Sequence, residues 1–306
     1  MEKMITILNN NHKQILINTS ASIEGKTKEK VWSGQSYLYK KQGKESDVFE
    51  IRMVDAVRGD ALNQTLLTTM QRYPYFNAKL VEVDGDFYSV QNDQSLLGHK
   101  SKDLPQLGGL ANGYHLLAVT YAQASIYVSF HHALWDGKGI KPFIETLFYY
   151  YCLLRYQSTA SRAGIRLASD ALFEGETVEP FLEPYDYDQS KDLIQIYWDG
   201  FVEMQGMMTY SNDMVFNSYV ISNLGQFVLN ENVQHIDSIH LYNSGVVGFG
   251  INMICATGQF SLDFKQSFAS YKYIQAFVEK LSLLNLPYTL ANAIPFITPK
   301  DPLMKR

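Results

Sequence analysis

Apolar and polar residues alternate over residues 48–54, with Phe49, Ile51 and Met53 set against Val48, Glu50, Arg52 and Val54. A period of two predicts a strand with one buried face. Ala61, Leu62, Leu66, Leu67 and Met70 then recur at helical spacing, behind an N-cap offered by Gly59-Asp60 and ahead of Pro74. A helix is predicted there. Residues 78–83 and 86–90 read as a hairpin across Asp84-Gly85. A polar, glycine-rich loop from Gln91 to Gly113 leads into two more strands, Tyr114 to Tyr121 and Ser125 to Phe130. Residues 138–156 are apolar almost all round, which predicts a buried helix.

The pattern changes after Tyr156. Residues 157–190 lack periodicity and carry Pro180, Pro184 and several acids, so they read as a linker. Residues 191–205 predict a helix. Strands are predicted at 36–39, 214–221, 226–229, 238–242, 248–256 and 259–264. An amphipathic helix is predicted over 271–284, ahead of a tail with Pro295, Pro299 and Pro302. Strands and helices interspersed in this way predict an α/β or α+β chain.

Composition narrows the function classes. Of the 306 residues, 46% are apolar and 19% charged, enough for a sizeable core. The formal net charge is −5, without the basic field that nucleic-acid binding needs. The lysines between Lys26 and Lys30 read as a solvated loop. No stretch approaches the ~20 apolar residues of a membrane span, and the N-terminal run is too short and polar for a signal peptide. Cys152 and Cys255 lie on separate apolar segments. They read as buried free thiols, which fits a reducing cytoplasm.

The chemistry concentrates in His131-His132-Ala133-Leu134-Trp135-Asp136-Gly137. This segment follows a predicted strand and precedes a predicted helix. Adjacent histidines on an extended segment point to opposite sides, so one can face a cavity while the other packs. An imidazole can take a proton from a hydroxyl, amine or thiol near neutral pH. Asp136 can fix the turn through backbone N–H groups or an arginine, and Gly137 admits a sharp bend or a close approach. The other histidines (His12, His99, His115, His235 and His240) lack metal-like spacing, and no Cys-x-x-Cys occurs, so no metal is expected. No Gly-x-Ser-x-Gly points to serine-based hydrolysis.

The motif resembles the signature of the chloramphenicol acetyltransferase-like superfamily of CoA-dependent acyltransferases. The likeness is closest to condensation domains and alcohol-acetyltransferase-like members. Arg72-Tyr73-Pro74-Tyr75-Phe76 is similar to the segment that ends the first lobe's helix in condensation-like members. Ser222-Asn223-Leu224-Gly225 is similar to a segment near the acceptor channel of alcohol-acetyltransferase-like members. Residues 258–264 and the last helix resemble the end of the second lobe.

The resemblance implies a two-lobed fold of mixed sheets covered by helices, with the lobes at 1–165 and 166–306 and a tunnel between them. It implies transfer of an acyl group from a thioester, acyl-CoA or an acyl carrier protein, to a small alcohol or amine. His132 would be the general base and no covalent acyl-enzyme would form. His131, Asp136 and Gly137 would be structural. Asp136 would pair with an arginine, with Arg72 or Arg52 as candidates. Trp135, Ser222 and Asn223 could line the tunnel. No permanently bound cofactor is implied.

Three features depart from the family pattern. The second half is short, with the contraction falling between Trp198 and Asn217. No arginine occurs from Leu167 through Lys305, and Asn77 stands where the family often has one. The alternative function is a catalytically degenerate member acting as a binding or scaffold protein.

Overall fold

The computed structural model describes residues 28–30, 46–83, 86–131, 134–135, 137–173, 176, 219–243, 249–266 and 270–289. The readings at 36–39 and 191–205, and the tail from 290, lie outside these residues.

The strand predicted over 48–54 runs from Ser46 to Met53 and is β2. It lies inside a five-stranded sheet, antiparallel both to Ser125–His131 (β7) and to Ile236–Asn243 (β9). Leu117–Ala122 (β6) pairs antiparallel with β7, and Gly98–Lys100 (β5) runs parallel to β6 at the edge. The period of two sorts the sheet into two faces. Phe49, Ile51, Val119, Ile126, Val128, Ile239 and Leu241 are buried in one core. Glu50, Arg52, Tyr127, His240 and Tyr242 occupy the other face, joined by hydrogen bonds to Glu50 and by the β2–β9 register.

Two helices cover the apolar face. Gly59–Arg72 (α1) buries Ala61, Leu62, Leu66 and Thr69. Its N-cap is Arg58 rather than Gly59 or Asp60, and Asp60 sits in the first turn, where an acid complements the helix dipole. Gly137–Tyr156 (α2) buries Phe143, Ile144, Leu147, Phe148 and Tyr151, as its nearly continuous apolar character predicts. Each such fully buried side chain contributes about 1.5–3 kcal/mol relative to exposure.

A smaller sheet pairs Lys28–Lys30 (β1), Asp86–Gln91 (β4) and Ala78–Val83 (β3). The lysine-rich stretch therefore contributes an edge strand where a loop was expected. The third sheet has the order β11-β10-β8. Tyr219–Gln226 (β8) runs parallel to Phe249–Ala256 (β10), which turns back into Gln259–Gln266 (β11). Of the runs predicted at 214–221 and 226–229, residues 214–218 lie outside the described residues, 219–226 form one strand, and 227–229 are not strand. Lys272–Leu283 (α3) packs against this sheet through Phe277 on Phe264 and Tyr273 on Phe249.

Two connections tie the halves of the chain together. β9, from the second half, completes the sheet built by β2, β6 and β7. The described part of the linker carries no helix or strand, but it is hydrogen-bonded in place. The Thr146 hydroxyl donates to Arg166 O at 2.7 Å, and Ala168 N donates to the Tyr150 hydroxyl at 2.8 Å. The Asn230 amide donates to Ser161 O at 2.7 Å. Cys152 and Cys255 are free thiols. Burial pushes the Cys152 thiol up to about 12, while Cys255 is only half-buried.

Candidate active site

β7 carries His131 to the end of the five-stranded sheet, opposite Ser46. His131 is 1% exposed, and its N–H donates to Leu116 O at 2.9 Å. Leu134 N donates to His131 O at 2.8 Å, which turns the chain back before α2 starts at Gly137. This is the strand–turn–helix context read from the sequence. His132 and Asp136 lie outside the described residues.

Side chains from distant parts of the chain enclose this turn. Trp135 packs against Tyr75 and Phe76, with ring centroids 5.8 and 5.9 Å apart. Its indole occupies the space a Cβ on Gly139 would need. On Gly137, a Cβ would stand 3.0 Å from Leu224 Cδ2 and 3.6 Å from Leu241 Cδ2. Leu224 belongs to β8 and Leu241 to β9, so the second half of the chain is packed directly on the motif.

Ser222 and Asn223 are brought next to Leu224 on the same strand. Ser222 is half-buried and opposite Asn252. Asn223 is exposed, and its Oδ1 accepts from Gly225 N at 3.0 Å, shaping the local bend.

Both arginines read as Asp136 candidates hold other carboxylates. Arg72 lies 2.7 Å from Glu176, and both side chains are 2% exposed. Glu176 also accepts from Arg166 at 3.2 Å, from the Tyr75 hydroxyl at 3.3 Å and from Phe173 N at 3.2 Å. Burial opposes ionisation of Glu176, but the Arg72 hydrogen bond and the other donors outweigh it and hold its carboxyl below the usual range. Burial and the Glu176 charge push the Tyr75 hydroxyl well above its ordinary range. Arg52 donates from Nε and Nη2 to Glu50, each at 3.1 Å. It faces Ser125 at the far end of β7 from His131.

The sequence reading named Tyr75 and Leu224 only as members of family-like segments, and it missed Glu176 and Leu241. Glu176 lies 104 positions from Arg72, in a segment without periodicity, so no local signal marked it. Glu145 was also hidden, inside the apolar run of α2. It bonds Lys141 at 2.9 Å and accepts from Val228 N at 2.7 Å, tying α2 to the chain after β8. Burial raises its pKa despite these partners. Among the described residues no group of three or more His, Cys, Asp or Glu is placed to hold a metal. No described helix is long and apolar enough to cross a membrane.

No family model matches the sequence, and no curated protein matches it. The fold does match solved structures. The polyketide synthase associated protein 5 from Mycobacterium tuberculosis aligns with a TM-score of 0.53 at 12% identity, over 85% of this chain and 98% of that one. The first condensation domain of the calcium-dependent antibiotic synthetase, in complex with a substrate analogue, gives 0.55 at 11% identity, over 79% and 91%. A further structure of the first condensation domain of the CDA synthetase gives 0.57 at 11% identity, over 88% and 97%. The chain therefore has the mixed α/β fold of condensation domains. At these identities the likeness is one of fold.

Proposed function

We propose that this protein is an acyltransferase that moves an acyl group from a thioester to an alcohol or amine, with His132 as general base. The observation that carries this reading is the packing around Trp135 and Gly137, at the helix end of the motif. Tyr75 and Phe76 close on it from the first half of the chain, Leu224 and Leu241 from the second. A site at the junction of the halves, in a condensation-domain fold, is where a donor and an acceptor can meet. One of the condensation-domain structures above is described as a complex with a substrate analogue, which supports a substrate-binding role for this fold here.

In this reading the acceptor's hydroxyl or amine gives its proton to His132 as it attacks the thioester carbonyl. The new C–O or C–N bond forms, the C–S bond breaks, and the thiol leaves with a proton. His131 is structural, held by the β7 backbone. Asp136 fixes the turn through backbone N–H groups or an arginine, with Arg72 and Arg52 as the candidates, each of which also holds a glutamate. Trp135, Ser222 and Asn223 border the acceptor path. The donor is acyl-CoA or a carrier-protein thioester, with no permanent cofactor. We take the lobes as 1–165 and 166–306, and the free thiols of Cys152 and Cys255 support a cytoplasmic setting.

The test is product identification. Purified protein is incubated with a panel of acyl-CoAs and mixed alcohols and amines, and products are read by mass spectrometry. An acylated acceptor formed together with free CoA is expected. Substrate-dependent binding without any acylated product from any pair would contradict the reading and favour a binding protein.

A further inference from the structure

A second constellation lies on the polar face of the five-stranded sheet, away from the motif. Ser238 and His240 stand two apart on β9 and so share a face. His240 Nδ1 is 2.8 Å from Asp263 Oδ1, and His240 Nε2 is 3.1 Å from Ser238 Oγ. The other Asp263 oxygen accepts from Leu241 N at 3.0 Å, which fixes the carboxylate. A carboxylate at Nδ1 accepts a hydrogen bond from Nδ1–H, which holds the ring proton there and leaves the Nε2 lone pair facing the hydroxyl. Carboxylate, imidazole and hydroxyl thus follow the order that activates a serine.

The surroundings suit a nucleophile. The His240 and Asp263 side chains are 11% and 14% exposed, while Ser238 is half-buried and reaches solvent. Arg52 is the cross-strand partner of Ser238. Its side chain is 24% exposed and paired with Glu50, so this ion pair lies on the same sheet face as the hydroxyl. Tyr242 stacks on His240 at 6.1 Å and donates to Glu50 at 3.0 Å. One group competes for the hydroxyl: Asp237 Oδ2, at 3.3 Å from Ser238 Oγ.

We propose that Ser238, His240 and Asp263 form a second reaction centre, with Ser238 as nucleophile toward small activated carboxylic esters. Ser238 Oγ attacks the ester carbonyl carbon while its proton passes to His240 Nε2. The bond from the carbonyl carbon to the leaving oxygen breaks, and the alcohol leaves with that proton. Water then attacks the acyl-serine carbonyl, giving a proton to His240; the bond from the carbonyl carbon to Ser238 Oγ breaks, His240 returns the proton to Ser238 Oγ, and the acid is released. Arg52 faces the oxygen that gains charge. This centre does not depend on the motif. Ser238 pairs with Arg52, and His131 pairs with Ser46. Six positions along β2 at ~3.3 Å each put them about 20 Å apart.

The test uses a fluorophosphonate probe and p-nitrophenyl acetate on the full chain. Peptide mass spectrometry is expected to find the probe on Ser238, and p-nitrophenol release is expected from wild type. Ser238→Ala should abolish both. His240→Asn should lower ester hydrolysis by about 10²-fold or more, with circular dichroism confirming that each variant is folded. His132→Ala should leave Ser238 labelling unchanged, so this proposal and the acyltransferase reading fail separately. No label on Ser238 of the folded wild type, or equal hydrolysis by wild type and Ser238→Ala, would overturn it and leave the three residues as a packing contact between β9 and β11.

Discussion

Glu176 gathers an unusual set of donors for a residue in a segment without regular structure. Arg72, Arg166, Tyr75 and the Phe173 N–H all converge on it. A buried pair of this kind is weak evidence for net stability, but removing one partner strands the other charge away from water. Glu176→Gln is therefore expected to destabilise the fold by about 3–5 kcal/mol, measured by urea denaturation. The effect should depend on pH with a definite sign. The native carboxyl titrates below its unfolded value. Its contribution is whole above the unfolded carboxylate pKa, and it is lost as pH falls through the lowered native pKa. The gap between wild type and variant should be flat near neutrality and shrink in acid. Tyr75 links this carboxylate to Trp135, so the same substitution should also change Trp135 fluorescence in a variant lacking Trp32 and Trp198.

Among the elements, β9 has the most consequences. Its Leu241 backbone is held by two side chains of the third sheet, Asn252 donating to Leu241 O at 2.8 Å and Asp263 accepting from Leu241 N at 3.0 Å. These side chains occupy an edge that would otherwise present unpaired groups. The Leu241 side chain meanwhile packs toward Gly137. Leu241→Ala should open a cavity beside the motif and cost about 2–5 kcal/mol in a thermal melt. Activity should fall further than the loss of folded protein accounts for, because the turn loses a wall.

Elements with strong local periodicity were legible in the sequence. α1, α2, the β3–β4 hairpin and the β6–β7 pair fall within a few residues of their predicted spans. β5 was not legible, because three residues in a polar loop carry no period and pair only through the β6 backbone. The six-residue 3-10 helix at Asn230–His235 was hidden for a similar reason.

At the scale of the whole molecule, the motif was readable because its residues are contiguous. The chemistry proposed for the 131–137 motif is read without knowledge of its neighbours. Its surroundings depend on pairings that no local pattern encodes. Glu50 on β2 and Tyr242 on β9 meet across 192 positions of the chain, and Leu224 and Leu241 reach Gly137 from the opposite half. The Ser238–His240–Asp263 arrangement belongs to the same class, since Asp263 arrives on another sheet.

In the proposed reaction one imidazole, His132, removes the acceptor's proton. The most direct measurement is kcat/KM for thiol release from an acyl-CoA in the presence of acceptor, wild type against folded His132→Ala. The account predicts a fall of roughly 10²–10⁴-fold, carried by kcat with acyl-CoA binding unchanged. Equal rates in the two proteins would contradict it.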